Sequence, residues 1–238
     1  MAELLTNTTD LTKVAAAIRE KGGTSDSLVY PDGFVTAIQA IQTGVAKPKF
    51  VESAMPIKTD WNSVCYGNGK FVAIAGYTNN RNIAAYSTDG INWIQSTLPT
   101  SIPWYSVCYG NGKFVAVAYG SSVAAYSTDG INWTQSTMPG SRDWNSVCYG
   151  NGKFVAICES SMLPAYSTDG ITWSSGRLPN NGPWYSVCYG MDKFVAVSDA
   201  TMRAAYSTDG INWTQSTLPT MPNNVQRCSV CYGNGKFV

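Results

Sequence analysis

The chain of 238 residues contains no histidine, and only 13% of its residues are charged, for a formal net charge of +1. Without imidazole, a serine or cysteine triad of the usual kind is excluded, as are histidine-based metal sites. Sparse, scattered charge excludes the dense basic footprint that phosphate backbones demand, so nucleic acid is not an expected partner. No stretch approaches the ~18 apolar residues of a membrane span. The amino terminus, MAELLTNTTDLTK, lacks the basic segment and apolar run of a secretory signal, which predicts synthesis and folding in a cytoplasm without membrane insertion. Closely spaced cysteine pairs are also scarce, Cys228 with Cys231 being the one C-x-x-C. With no phosphate-cradling glycine loop either, no metal and no cofactor is expected.

What the chain has is repetition. WNSVCYGNGKFVAIAG…AAYSTDGINWIQSTLP opens at Trp61 and returns from Trp104, Trp144 and Trp184, at intervals of 43, 40 and 40 residues. A last SVCYGNGKFV runs to Val238. A period near 40 residues, made of short alternating strands and tight turns, is the signature of a radial or stacked repeat. Five of the seven cysteines (Cys65, Cys108, Cys148, Cys188, Cys231) fill one equivalent place in that repeat. Equivalent places in separate blades are poorly set for bridging, so these are read as reduced, buried side chains.

Within a repeat, SVCYG is a strand whose alternation puts Val64 and Tyr66 on one face and Ser63 and Cys65 on the other. AsnGly then marks a type I′ hairpin turn. KFVAI is the second strand, AAYST the third, AspGly a second tight turn, and INWIQST the fourth. The fold class is therefore mainly β, a β-propeller of four-stranded blades of about 40 residues. Blades start near 61, 104, 144, 184 and 227, so at least five are implied, the last one incomplete. FVESAMP at Phe50 to Pro56 aligns with WIQSTLP at Trp93 to Pro99, so the chain enters the propeller on a fourth strand. Because no third strand lies between that entry and the final hairpin, the natural chain is expected to continue past Val238.

The stretch YSTDGINW resembles the Asp-box, SxDGxxW, of sialidase-like propeller blades. It occurs at Ser87 to Trp93, Ser127 to Trp133, Ser167 to Trp173 and Ser207 to Trp213. Its residues have a structural task. Asp89, Asp129, Asp169 and Asp209 cap backbone N–H groups of the turn, glycine supplies the unusual φ, and Trp93, Trp133, Trp173 and Trp213 pack into the blade.

Residues 1–45 read as a different module from the propeller at 46–238. Asp10 to Lys21 is predicted to form a short amphipathic helix with Leu11, Val14, Ala15 and Ile18 as its stripe, ended by Gly22 and Gly23. ProAspGly at Pro31 to Gly33 starts a second helix, carrying Phe34, Val35, Ile38 and Ile41 and ending at Gly44. Together they form a small helical hairpin too short to stand alone in water. DLTKVAAAIREKGGTSDSLVYPDGFVTAIQAI resembles a segment at the amino termini of tail and other virion proteins in phages of Gram-positive bacteria. That resemblance, over residues 8 to about 44, implies an attachment or oligomerisation module that contacts other virion proteins and makes a homo-oligomer.

In an up-and-down blade, the loops joining strands two and three share a face with the inter-blade loops. Here the variation between copies concentrates on that face: GYTNNRN, YGSSV, ESSML and SDATMR, then TSIP, GSRD, NNGP and TMPNNVQR. The opposite face repeats GNGK and STDG, with Met191 to Lys193 the one departure. Binding function commonly sits on variable loops over a rigid frame. Trp61, Trp104, Trp144 and Trp184 stand where the chain enters each innermost strand from that rim, followed by Asn62, Tyr105, Asn145 and Tyr185. Two roles are open to these tryptophans. They could form a stacking surface for sugars, or they could seal the corner between adjacent blades. Tyr77, Arg81, Tyr119, Glu159, Asp199 and Arg203 complete the candidate rim.

A sialidase would need three arginines on a substrate carboxylate, a tyrosine nucleophile with its glutamate, and an aspartate acid/base. The chain has six arginines and four glutamates, with Glu159 the one glutamate inside the repeats, and nothing beyond the structural box matches. The expected function is a non-enzymatic phage virion protein of tail-fibre or receptor-binding type, whose rim binds a host surface glycan or protein. The alternatives are a virion structural or decoration protein and a bacterial interaction scaffold.

Overall fold

The AsnGly turns fold as their residues dictate. Asn68 and Gly69 take φ of 46° and 72°, and Asn111 and Gly112 take 44° and 73°, the left-handed pair that a type I′ hairpin requires. Met191 and Asp192 hold the same conformation, at 44° and 55°; aspartate, like asparagine, tolerates it, whereas the methionine is strained there. The structure is a computed structural model that describes residues 53–76, 82–198, 203–218 and 229–238. The chain divides into two units, Met1–Glu52 and Ser53–Val238. Both predicted helices lie outside the described residues.

Between the turns run short antiparallel strands. The first blade is β1 (Trp61–Gly67), β2 (Lys70–Ala75), β3 (Ile83–Ser87) and β4 (Ile94–Thr97). The second is β5 (Trp104–Gly110), β6 (Lys113–Ala118), β7 (Ser121–Ser127) and β8 (Thr134–Arg142). The third is β9 (Trp144–Gly150), β10 (Lys153–Cys158), β11 (Ala165–Ser167) and β12 (Ser174–Ser175), and the fourth β13 (Trp184–Gly190), β14 (Lys193–Ser198), β15 (Arg203–Ser207) and β16 (Thr214–Thr217). Each set pairs in chain order as one four-stranded sheet, and β17 (Tyr232–Gly233) with β18 (Lys236–Phe237) forms a final hairpin.

The fourth strands begin later than the sequence suggests. Ile91 and Asn92 are not in β4, because both donate their backbone N–H to Asp89 Oδ1 at 2.8 Å. Ser87 Oγ in turn accepts from Gly90 N–H at 2.9 Å and donates to Asp89 Oδ1 at 2.9 Å. The same bonds recur around Asp129, Asp169 and Asp209. The Asn92 backbone N–H, then its side-chain amide, hold the Asp89 carboxyl well below the usual carboxylate range. At Asp129 burial pushes upward, but the Asn132 and Ile131 bonds outweigh it and the carboxyl again falls. A carboxyl depressed in the fold stabilises it above the ordinary range near pH 4 and ceases to do so as pH falls through its folded value. Asp129→Ala is accordingly expected to lower the melting temperature at neutral pH by about 5 °C and to leave the acid limb of the stability profile shallower, read by calorimetry across pH.

Successive blades are joined by a repeated set of contacts, all running in one direction. Ser63 Oγ accepts from Val107 N–H at 3.1 Å, Ser106 from Val147 and Ser146 from Val187 at 3.1 Å, and Ser186 from Val230 at 3.0 Å. The Asn68, Asn111 and Asn151 amides donate to the Thr128, Thr168 and Thr208 carbonyls at 3.4, 3.2 and 3.0 Å. Finally, the glycine ending each innermost strand is a notch for the next blade's tyrosine. A Cβ on Gly67, Gly110, Gly150 or Gly190 would lie inside the ring of Tyr109, Tyr149, Tyr189 or Tyr232. The strand faces follow the predicted alternation. Cys65 packs forward with the cluster containing Trp104 and Val107, and Cys108 with that containing Trp144 and Val147. The cores thus lie mostly between blades, where apolar side chains from two sheets interdigitate.

Of the expected entry strand, Phe50 to Glu52 lie outside the described residues, and the described part is a single bridge. Ala54 bridges Asn92 in parallel, as Thr97 bridges Asn132 and Thr137 bridges Thr172. Ala54 thus stands where the alignment of Phe50–Pro56 with Trp93–Pro99 puts it, at the place of Thr97.

Candidate ligand-binding rim

On the variable rim the β2–β3 loops meet the inter-blade loops, because the start of each innermost strand pairs with the end of the second, as in Trp104 with Ala118 and Trp184 with Ser198. Tyr119 N–H donates to Pro103 O at 2.8 Å and Glu159 N–H to Asp143 O at 3.1 Å, fastening the two loop types together. Blade two extends the arrangement, since β8 reaches Arg142 and pairs it with Ser121.

The tryptophans that enter the innermost strands are not a surface. Trp104, Trp144 and Trp184 are 0% exposed and sit in the inter-blade cores. Their indole N–H groups donate inward to inter-blade loop carbonyls, at Thr100 (3.0 Å), Gly140 (3.3 Å) and Asn180 (3.3 Å). As a stacking platform for sugars they are therefore corrected to corner seals: each ring is covered by the preceding blade. Trp61 alone is partly exposed.

The residue after each tryptophan takes the rim position instead. The ladder slips between Trp61 and Ser63, between Trp104 and Ser106, opposite Ile157 and Cys158, and between Trp184 and Ser186. Asn62, Tyr105, Asn145 and Tyr185 are thus bulged residues, unpaired in the ladder. A β-bulge re-aims a side chain and is favoured beside functional sites. Asn62 Nδ2 donates to Trp104 O at 2.8 Å. The Tyr105 ring lies 5.7 Å from that of Tyr119, and Tyr185 Oη donates to Glu159 Oε1 at 2.6 Å. Asn145 differs from the rest. It is 6% exposed, and neither its Nδ2 nor its Oδ1 has a hydrogen-bond partner. Such an amide costs folding free energy, of the order of 1–3 kcal/mol for each unsatisfied group, unless something else bonds it.

Arg142 is not among the residues that the sequence singles out, although its loop is. Its guanidinium stands 5.5 Å from the centre of the Trp144 ring, with Nη1 buried and unpartnered. Only its place in an inter-blade loop before a tryptophan could have signalled it. Arg203 turns to its own blade's loop, donating to Asn181 O at 3.3 Å. Tyr77, Arg81 and Asp199 lie outside the described residues.

No family model matches this chain, and no curated protein matches it. Solved structures do. A selenomethionine-substituted virginiamycin B lyase from Staphylococcus aureus superposes with a TM-score of 0.59 at 16% identity, covering 68% of this chain and 57% of that one. A streptogramin B lyase gives 0.59 at 11% identity, with 74% of each chain covered. A nidogen/laminin complex gives 0.59 at 9% identity, covering 74% of this chain and 70% of that one. The shared fold is a β-propeller-like repeat. At these identities the likeness extends to the fold alone, and this chain spans about 57% of the length of the first of them.

The chemistry of the rim is that of hydrogen bonding and ring contact. Among the described residues no group of three or more histidine, cysteine or acidic side chains could hold a metal ion. The described cysteines are free thiols. Burial pushes the Cys65 thiol up to about 12 and the Cys188 thiol up to about 11, so neither is a thiolate nucleophile near neutral pH.

Proposed function

We propose that this protein is a phage virion component of tail-fibre or receptor-binding type, whose loop rim binds a host surface glycan or protein without transforming it. The rim reading rests on one observation above the others: the partly exposed rings of Tyr105, at a bulge of its innermost strand, and Tyr119, on the adjoining β6–β7 loop, lie 5.7 Å apart where the two variable loop types are fastened together. Such a ring pair supplies a flat apolar face for a sugar or a peptide side chain, and its hydroxyls supply donors and acceptors. The placement in a virion rests on the resemblance of residues 8 to about 44. In that setting the amino-terminal unit contacts other virion proteins and joins copies, and several weak rims act together through avidity. The Ser–Asp–Gly turns, which resemble the Asp-box, serve as framework.

Tyr119→Ala separates binding from folding. Removing a partly exposed loop ring is expected to move the melting temperature by no more than about 3 °C, while saturable binding of the labelled full-length protein to host cells and purified wall polysaccharide weakens about tenfold, equivalent to ~1.4 kcal/mol. Wild-type protein that shows no saturable binding but enters virus particles would replace this reading with a structural or decoration role. Absence from particles would favour a bacterial scaffold.

A further inference from the structure

The rim carries a carboxylate whose direction is fixed by a neighbouring blade. Tyr185 Oη on blade four donates to Glu159 Oε1 on blade three at 2.6 Å, a short bond of the kind that an ionised acceptor makes. Both residues are partly exposed. The backbone is held as well, since Glu159 N–H donates to Asp143 O at 3.1 Å. A carboxylate accepts through two oxygens with about four lone-pair directions, so one bond at Oε1 leaves Oε2 and a share of Oε1 to accept from a ligand. A group already held at side chain and backbone loses little freedom when it binds.

Tyr119 occupies the place of Glu159 one blade earlier. It too directly follows a second strand and donates its N–H to an inter-blade loop, at Pro103 O. Its ring pairs with that of Tyr105. Ser106 Oγ, next to Tyr105, accepts from Val147 N–H at 3.1 Å, so the innermost strands of blades two and three are tied side by side just below this level. The rim therefore sets an aromatic pair on blade two next to an oriented acceptor on blade three. It has no large apolar anchor. Among the described residues, the exposed large hydrophobic side chains, Ile91, Ile94, Met191 and Tyr206 among them, all lie outside the rim loops. A protein partner is gripped through apolar and aromatic anchors at the centre of a desolvated patch. A sugar instead offers a C–H face to a ring and hydroxyls to fixed acceptors.

On the rim reading proposed above, we infer that the ligand is a glycan bearing a vicinal diol and that Glu159 selects it. The two hydroxyls donate to the Glu159 carboxylate while a sugar face lies against the Tyr105 and Tyr119 rings. Tyr185 is a positioning residue, which acts by holding the carboxylate in the direction from which both hydroxyls are met.

The test titrates the labelled full-length chain with purified wall polysaccharide of the host. One sample is native; in the other, periodate has cleaved the bonds between neighbouring hydroxyl-bearing carbons and the resulting aldehydes have been reduced. Wild-type protein should bind the native polymer saturably and the cleaved polymer about tenfold more weakly. Glu159→Gln keeps the shape and still accepts from Tyr185, so its melting temperature should match wild type while its affinity for the native polymer falls about tenfold. Tyr185→Phe keeps the ring and should lose about threefold. On the cleaved polymer both variants should equal wild type, because the interaction they remove is already gone. A residue with a purely structural role would weaken binding to both polymers alike. Four results would overturn the inference and leave the rim reading standing: equal wild-type binding to both polymers, undiminished binding of the native polymer by Glu159→Gln, equal losses on both polymers, or binding to host cells that protease treatment abolishes. Wild-type protein that binds neither cells nor polymer saturably would overturn both.

Discussion

Trp144→Ala is expected to lower the unfolding free energy by about 4 kcal/mol, and Trp61→Ala by a small fraction of that. Trp144 is 0% exposed and packs with Val115, Met138, Val147, Phe154 and Trp173 across the seam between blades two and three. Its indole N–H bonds Gly140 O, and the Arg142 guanidinium stands over its face. Deleting the ring opens a large cavity between two sheets whose backbones are fixed by their own ladders and cannot collapse into it. Trp61 has the same sequence context, but among the described residues no preceding blade covers it and it is partly exposed, so its removal exposes little that was covered. Calorimetric melting of the two variants side by side reads the difference. Equal losses would show that these tryptophans act within a blade and not between blades.

Gly110→Ala should cost about 3 kcal/mol, an unusual penalty for adding one methyl group. The added Cβ would occupy the Tyr149 ring, and that ring has no easy retreat, being packed 4.7 Å from Phe154 between centroids. Either the tyrosine leaves its notch or blades two and three separate locally. Gly112→Ala, two residues away, meets nothing within 4 Å, so its cost comes only from its φ of 73°, at roughly 1 kcal/mol. Chemical unfolding of the two variants separates packing from backbone strain. A Gly110 variant no worse than the Gly112 variant would dismiss the notch as a source of cohesion.

Much of the blade was legible in the residues. AsnGly gave the inner hairpin, period-two alternation gave the faces of β1, and the likeness of FVESAMP to WIQSTLP put Ala54 at the place where it bridges Asn92. The site was read less well, for identifiable reasons. A tryptophan entering a strand at a loop edge has the composition of an exposed platform. Its burial depends on the next sheet, which no local pattern reports. The bulge that turns Asn62, Tyr105, Asn145 and Tyr185 into rim residues depends on which residues of the partner strand they skip, and repeated sequences carry no mark of a skipped register. Gly67 and its equivalents resemble turn glycines, because a notch for a ring one repeat away and a tight turn both call for a residue without Cβ.

The ties that repeat from blade to blade point the same way: serine hydroxyl, notch and turn amide are offered forward, while valine N–H, tyrosine ring and turn carbonyl are offered back. A blade is therefore a tile with a leading and a trailing edge that differ from each other and match every other tile. A tile can be inserted or removed between two others without a new fit having to be invented. The rim loops contribute little to those edges, so each tile can carry its own surface while the joints stay the same.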